Sequence, residues 1–570
     1  MIRLLLTLVL AASLRAGESF TVSVYATAGD VLQHLATAEQ RARTAAVVAP
    51  LRVERLFLEG RRGDEYVPPD LLREVRDDFQ ARGVRCAGGI ATVPGSRFGT
   101  RQDSALGWLN WQSAKTQHDV AQFFRENAPL FDELIVDDFY CTADTSAESE
   151  AARGSRSWGE YRRDLLVSLI EPMILRPARD AHPGVRLILK YPQWYDRFHL
   201  FGYDPARMSP PFDAIWVGTE VRNPQTRRMG FVQPTEGYMN FRWLQSVAGP
   251  KVMGAWFDHI ECSAQHFVDQ AYQSVLAGAR DLTLFRLGDL MDSHPGDALL
   301  AARLPDLEAL AGRARGQMPS GVAFYKPPGS ESEENLYLAD YLGMIGLPVV
   351  PVSSYPTEAR VVFLGVQAAA DAEALRRAQG QVQRGGAVVV TPAFVRAVGA
   401  KAAQWAGVEV GAAAQPMVAE AYRSGETPEL FSRPLDVDGG LRVTESRVRL
   451  EVICGGRPVP FLTERHLGAG RVWVLNVRTF SEADFLESGE WLLAPKPRGL
   501  TELPEPLANE VRTAFLSPLG VALEAPAGVG LYLFGKERCL YNFGEATARV
   551  RLDGAELELP AHQWRWVAAP

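Results

Sequence analysis

Short apolar runs recur through the first half of the chain, and each gives way at once to charged and aromatic residues. Leu134-Ile135-Val136 runs into Asp137-Asp138-Phe139-Tyr140, and Leu187-Ile188-Leu189 into Lys190-Tyr191-Pro192-Gln193-Trp194. Ala214-Ile215-Trp216-Val217 leads to Gly218-Thr219-Glu220, and Val252-Met253-Gly254-Ala255-Trp256 to Phe257-Asp258-His259. Runs of this length, bounded by polar residues, read as buried strands. Stretches with helical periodicity lie between them, for example at 120–125, 158–175 and 266–279. The pattern predicts strands at Thr21–Thr27, Val53–Leu58, Val84–Thr92, Glu133–Asp138, Val185–Lys190, Ala214–Val217, Lys251–Phe257 and Asp281–Leu287, with a closing helix at Ala298–Ala314. Eight strands with a helix after most of them is the layout of a (β/α)8 TIM barrel, an α/β fold whose active-site residues gather at the C-terminal strand ends. A doubly wound open sheet is the rival, but no glycine-rich phosphate loop follows the first strand.

A second αβ pattern begins near Gly321. It predicts strands at Val322–Tyr325, Val349–Val352, Val361–Leu364, Ala387–Val390 and Val472–Leu475, and helices at Glu333–Ile345 and Asp371–Gln383. Gly346 stands where a helix C-terminus favours glycine. This reads as a flavodoxin-like sheet with a β-rich insertion around residues 405–465. From Leu503 a helix leads into short alternating strands at 530–534, 539–543, 548–552, 556–559 and 564–568, a small β-sandwich. The expected division is a leader at 1–16, a barrel at 17–316, a flavodoxin-like domain at 317–502 and a β-sandwich at 503–570.

The N-terminus carries Arg3 and an apolar stretch from Leu4 to Leu14, the form of a secretory signal with a cut near Ala16. The expectation is export, to the periplasm or outside the cell. No other stretch reaches transmembrane length. A net charge of -8 offers no basic surplus for a nucleic acid, and no run of basic residues suits a membrane surface. The five cysteines, Cys86, Cys141, Cys262, Cys454 and Cys539, form no CxxC pair and read mostly as buried thiols.

The strand ends carry the candidate chemistry. Burying a carboxylate is costly unless it is used or compensated. Adjacent strand residues face opposite sides, so one of Asp137 and Asp138 faces the barrel axis. Asp138, at the tip, is the candidate nucleophile or general base, with Asp137 orienting it. Glu220 ends the sixth strand and is the candidate proton donor, with Arg222 as the alternative ion-pair partner. Two strands apart at about 4.8 Å per neighbour puts the backbones about 10 Å apart. Inward-leaning carboxyls then fall in the window glycosidases use, about 5–5.5 Å for retention and about 6.5–9.5 Å for inversion. Asp258 is the reserve acid. Lys190, His259 and Asp289 at neighbouring strand ends, with Tyr140, Tyr191, Trp194 and Trp256, are the candidate substrate-binding residues, because flat rings with a polar handle suit sugar faces. No GxSxG elbow, HExxH or calcium loop occurs, so neither a metal nor a cofactor is expected. The sequence supports a glycoside hydrolase acting on an oligo- or polysaccharide. The alternative is a non-catalytic glycan-binding or scaffold protein on the same barrel.

The Asp137-Asp138-Phe139-Tyr140, Lys190-Tyr191-Pro192-Gln193-Trp194-Tyr195 and Gly218-Thr219-Glu220 segments together resemble a group of bacterial TIM-barrel proteins assigned to the glycoside hydrolases. The second half, through Tyr337-Leu338-Ala339-Asp340-Tyr341-Leu342-Gly343 and Gly468-Ala469-Gly470-Arg471-Val472, resembles the β-galactosidases of glycoside hydrolase family forty-two. The resemblance implies an amidotransferase-like middle domain without its own catalysis, a small β domain and self-association. Those enzymes use glutamates after strands four and seven. Here the acids are aspartates, and an acid after strand six is closer to the α-galactosidase clan.

Overall fold

The computed structural model describes residues 20–137, 139–423 and 428–569. The expected leader at 1–16 and Asp138 lie outside the described residues. Eight parallel strands form the first unit: β1 (Thr21–Ala26), β2 (Arg55–Arg62), β3 (Arg85–Ala91), β4 (Glu133–Val136), β5 (Arg186–Tyr191), β6 (Ala214–Gly218), β7 (Val252–Asp258) and β8 (Asp281–Phe285). Each pairs with its sequence neighbour, and β1 pairs with both β2 and β8, which closes the cylinder. The chain folds into a TIM barrel, as the strand pattern predicts.

The barrel axis is filled by one side of every strand. Tyr25, Phe57, Ala87, Ile135, Ile188, Ala214, Trp216 and Trp256 form a buried cluster, with Phe285 packed against it. The opposite parity, for example Leu56, Leu58, Leu134, Val136, Leu187 and Leu189, faces the helices as part of the main core. Large rings fit inside because glycines face them. A Cβ on Gly254 would sit 2.1 Å from the Trp216 ring, and one on Gly89 would sit 2.9 Å from the Tyr25 hydroxyl. The Trp216 indole is fixed by a 2.8 Å bond to Thr283.

The second unit is built on five parallel strands: β9 (Val322–Tyr325), β10 (Val349–Val352), β11 (Val361–Leu364), β12 (Ala387–Val390) and β17 (Gly470–Leu475). Four of the strands between β12 and β17, β13 (Pro416–Arg423), β14 (Pro428–Asp438), β15 (Arg447–Cys454) and β16 (Arg457–Leu467), extend that same sheet. They run in the order β17-β16-β15-β13-β14, antiparallel from β16 onward. The expected insertion is thus continuous with the sheet. The helix expected at Glu333–Ile345 is shorter, Leu338–Met344. Glu334 and Tyr337 take positive φ (69° and 56°), because Glu334 is tied to Arg396 and Arg478 and the Tyr337 amide to Asp196. Tertiary contacts here override local propensity. The tail forms two three-stranded antiparallel groups, and Pro319–Ser320 adds a fourth, edge strand to the one built on Val529–Phe534. All five cysteines are free thiols. Among the described residues no helix is long and apolar enough to cross a membrane.

Candidate active site

The parity that fills the barrel also selects its functional side chains. Moving two residues on from each inward ring or aliphatic leads from Phe57 to Glu59, Ile135 to Asp137, Ile188 to Lys190 and Trp256 to Asp258. Glu220 follows Trp216 and Gly218 in the same phase. At β4 this phase brings Asp137 to the axis, with Lys190 3.9 Å from its Oδ1.

These groups form one chain of charges. The fully buried Glu59 accepts from the Tyr25 hydroxyl at 2.7 Å and the Ala28 amide at 2.8 Å. Arg62 grips it with two bonds, 2.9 and 2.8 Å, and reaches Asp137 Oδ2 at 3.0 Å. A bulge at Gly60 makes this possible, since the register shifts between Glu59 and Arg61 and turns Arg62 to the axis. Arg61 lies instead against Tyr66 and Phe98. Burial pushes the Glu59 carboxyl up, with Arg62 opposing it. Lys190 sits between the next two acids, 3.9 Å from Asp137 Oδ1 and 3.2 Å from Glu220 Oε1, over the Trp256 ring at 4.6 Å. Both acids are thus within 4 Å of one ammonium, so these oxygens lie no more than about 7 Å apart. That limit reaches the glycosidase separations.

Asp258 is clasped by Arg222 through two bonds, 2.8 and 2.5 Å. The arginine expected as the alternative partner of Glu220 is therefore spent on Asp258. Burial pulls Arg222 down, but Asp258 beside it more than offsets this and raises it overall. Arg222 itself takes a φ of 54°, uncommon outside glycine. Such strain concentrates at functional sites. Gln193, in the amide orientation that satisfies both neighbours, donates to Glu220 at 3.2 Å and accepts from Arg222 at 3.1 Å. Asn240 donates to the Pro192 and Gly218 carbonyls at 2.9 Å each, locking the β5 and β6 ends together.

A second polar group lies beyond β7. His259 Nε2 meets Asp297 at 2.7 Å, its ring stacks on Phe267 at 3.9 Å, and Asp289 lies 3.9 Å from Nδ1. Burial raises the Asp289 carboxyl. His259, His294 and Asp297 are close enough to be considered as metal ligands. The hydrogen bonds argue otherwise. His294 Nδ1 accepts from the Gly296 amide, so its proton is on Nε2, facing the Cys262 carbonyl at 3.1 Å. No lone pair of that ring is left for an ion.

Some predicted site residues go elsewhere. Tyr140 faces the helical layer, where its hydroxyl donates to Leu166 O at 2.5 Å and its ring packs on Trp111. Tyr191, one residue out of phase with Lys190, meets Ser209 at 3.0 Å. Trp194, expected as a platform, is buried among Trp108, Phe198, Phe201 and Tyr203. Trp256 does reach the axis, but as the floor beneath Lys190. The acids themselves are deep: Asp137, Lys190, Glu220 and Asp258 are 2%, 1%, 4% and 2% exposed. Near these strand ends Arg62, Phe139, Arg286 and Asp289 are partly exposed. Sequence reasoning missed Tyr25, Glu59 and Arg62, although β2 shows the same signal, an apolar run followed by Glu59-Gly60-Arg61-Arg62.

Residues 11–298 match the family model described as "Probable glycosyl hydrolase, catalytic domain", and residues 319–423 match the second domain of the uncharacterized protein SSO3021. That protein, from Saccharolobus solfataricus, is 23% identical over 333 residues, 52% of this chain and 55% of its own length. The chain thus spans about half the length of that relative. Among solved structures, a GH42 beta-galactosidase from G. stearothermophilus superposes with a TM-score of 0.63 at 12% identity, over 97% of this chain and 98% of that one. Alpha-L-fucosidase isoenzyme 2 from Paenibacillus thiaminolyticus gives 0.64 at 10%, over 97% and 100%. The likeness at such identities is one of fold. The family model covers half of the chain, with the charged strand ends inside it, and the protein belongs to that glycosyl hydrolase family through its barrel.

Proposed function

We propose that the protein hydrolyses glycosidic bonds of an oligo- or polysaccharide at the C-terminal mouth of its barrel, by a two-carboxylate mechanism. The observation that carries this reading is the convergence of Asp137 and Glu220 on Lys190, with Asp258 joined to Glu220 through Arg222 and Gln193, in a chain of this family. The environments divide the labour. Asp137 and Asp258 each rest on a guanidinium, a cation that keeps its proton. Glu220 meets an ammonium, a group able to exchange a proton. Glu220 is therefore assigned as proton donor. The β4 tip, Asp137 with Asp138, supplies the nucleophile or base, and Asp258 orients the loop carrying Glu220 through Arg222.

The reading extends to the rest of the chain. The parallel order β10-β9-β11-β12-β17 supports a flavodoxin-like, amidotransferase-like middle domain at 317–502, followed by a β-sandwich at 503–570. Export, on the pattern of Arg3 to Ala16, and self-association belong to the same proposal.

The test is a panel of chromogenic α- and β-glycosides. Wild type should turn over at least one, and Asp137→Asn and Glu220→Gln should each lose about 100-fold or more in kcat without a matching loss of Tm. Near-normal turnover in either variant removes its assignment. The depth of the acids favours one second reading, a glycan-binding barrel without catalysis. Glycan-array binding with no turnover of any panel member would decide for it.

A further inference from the structure

Where the middle domain meets the β6 loop, three acids are buried together: Asp196, Glu236 and Asp340, each 1–2% exposed. Asp196 has its own cation, Lys326 at 2.9 Å, and accepts the Tyr337 amide at 2.7 Å. Asp340 accepts only the Tyr195 hydroxyl, at 2.9 Å, and among the described residues no lysine or arginine reaches it or Glu236. Glu236 is stranger still, for neither of its carboxyl oxygens has a hydrogen-bond partner among the described residues. Glu236 and Asp340 line the same small hollow with Gln233, Tyr337 and Tyr341, which has no room for a water molecule. A buried carboxylate with neither cation nor water to compensate it sheds its charge by taking a proton.

We infer that Glu236 and Asp340 are a proton-holding carboxyl pair that docks the middle domain onto the loop carrying Glu220, and that they act on the active site as positioning residues. The mechanical link is short. Thr235 donates to the Asp340 carbonyl at 2.6 Å, and the helix Glu236–Ala248 begins at the next residue. One turn on, Asn240 of that helix holds the carbonyls of Pro192, next to Gln193, and Gly218, two residues before Glu220. The groups facing the pair from each element are consistent with it. From the β5 loop come Tyr195 and Asp196, from the β6 loop Glu220 and Arg222, and from the middle domain Tyr337 and Tyr341, with Lys326 already engaged. Burial first, then the neighbouring acids, push both carboxyls well above the usual carboxylate range. Because the folded form holds the proton more tightly than the unfolded chain, this contribution to stability is complete at low pH. It is lost as pH rises through the raised folded value.

The experiment uses the full chain: Tm from pH 5 to 9 for wild type, Glu236→Gln and Asp340→Asn. Wild type should fall steadily with pH. Glu236→Gln, a neutral isostere, should match it within about 2 °C at pH 5 and fall less steeply. A variant slope equal to wild type overturns the proposal, as does a folded variant whose Tm at pH 5 already lies well below wild type. If Glu236→Gln does not fold, Asp340→Asn carries the same comparison. The positioning claim rests on the glycosidase reading and has its own arm, the alkaline limb of kcat/KM on an aryl glycoside. That limb should move to higher pH in Glu236→Gln. An unmoved limb beside a flattened Tm profile rejects positioning alone. Absence of any turnover rejects the glycosidase reading, and with it the positioning claim, while the Tm arm still decides the proton-holding pair.

Discussion

Replacing Arg62 with methionine removes the cation that serves two acids at once. The variant keeps most of the side-chain volume, so its effect reports charge and hydrogen bonding. Three charge-assisted bonds disappear, two to Glu59 and one to Asp137. Glu59 is fully buried, and breaking a buried pair from one side costs about 3–5 kcal/mol, because the remaining charge is left uncompensated. For a domain of this size that is a Tm loss of about 6–10 °C at neutral pH. The sign with pH follows from Glu59. Burial already raises it, and Arg62 is the main cause working against that rise. Without Arg62 the folded state holds the Glu59 proton more tightly than the unfolded chain does. The variant's deficit should therefore shrink toward pH 5 and widen toward pH 8. Thermal melts of wild type and Arg62→Met at both pH values measure this directly. A deficit that does not change with pH, or a variant as stable as wild type at pH 8, would show that Glu59 is not held by this pair. Activity should fall as well, since Asp137 loses its anchor.

Three other expectations follow from the same geometry. Trp216→Ala empties the centre of the barrel and unbonds Thr283, and should cost about 3–5 kcal/mol by denaturant melt. Gly254→Ala drives a methyl into the Trp216 ring and should destabilise by about 1–3 kcal/mol or more, an effect that Trp216→Leu in the same chain should partly relieve. Asp258→Asn breaks the clasp on Arg222 and should reduce kcat about 10-fold or more while shifting KM little; unchanged kcat would mean that the strained Arg222 backbone serves no positioning purpose.

Much of this was written in the order of apolar residues. The strand positions of the barrel are short, strong patterns, and closure adds only the pairing of β1 with β8. The finer lesson is parity. Ile135 and Ile188 face the axis, so Asp137 and Lys190 must face it too, and Tyr191 must face the helices. A reading by strand tip alone places Tyr140 and Trp194 at the mouth, where loop packing instead buries them. Arg62 escaped because β2 runs past Leu58, and only the Gly60 bulge turns that arginine inward. Arg222 could not be assigned to Asp258 from sequence, because the two are joined through a left-handed backbone turn rather than by spacing. The helix before Gly346 is shortened by ion pairs from Glu334 to Arg396 and Arg478, far away in the chain, a contact no local pattern carries.

The central claim is that Glu220 delivers a proton to a departing sugar. It is tested most directly by comparing Glu220→Gln with wild type on two substrates of the same sugar, a dinitrophenyl glycoside that leaves unaided and a disaccharide that needs protonation. The account predicts a loss of about 100-fold or more on the disaccharide and a far smaller loss on the dinitrophenyl glycoside. Equal losses on both substrates, or none on either, would contradict it.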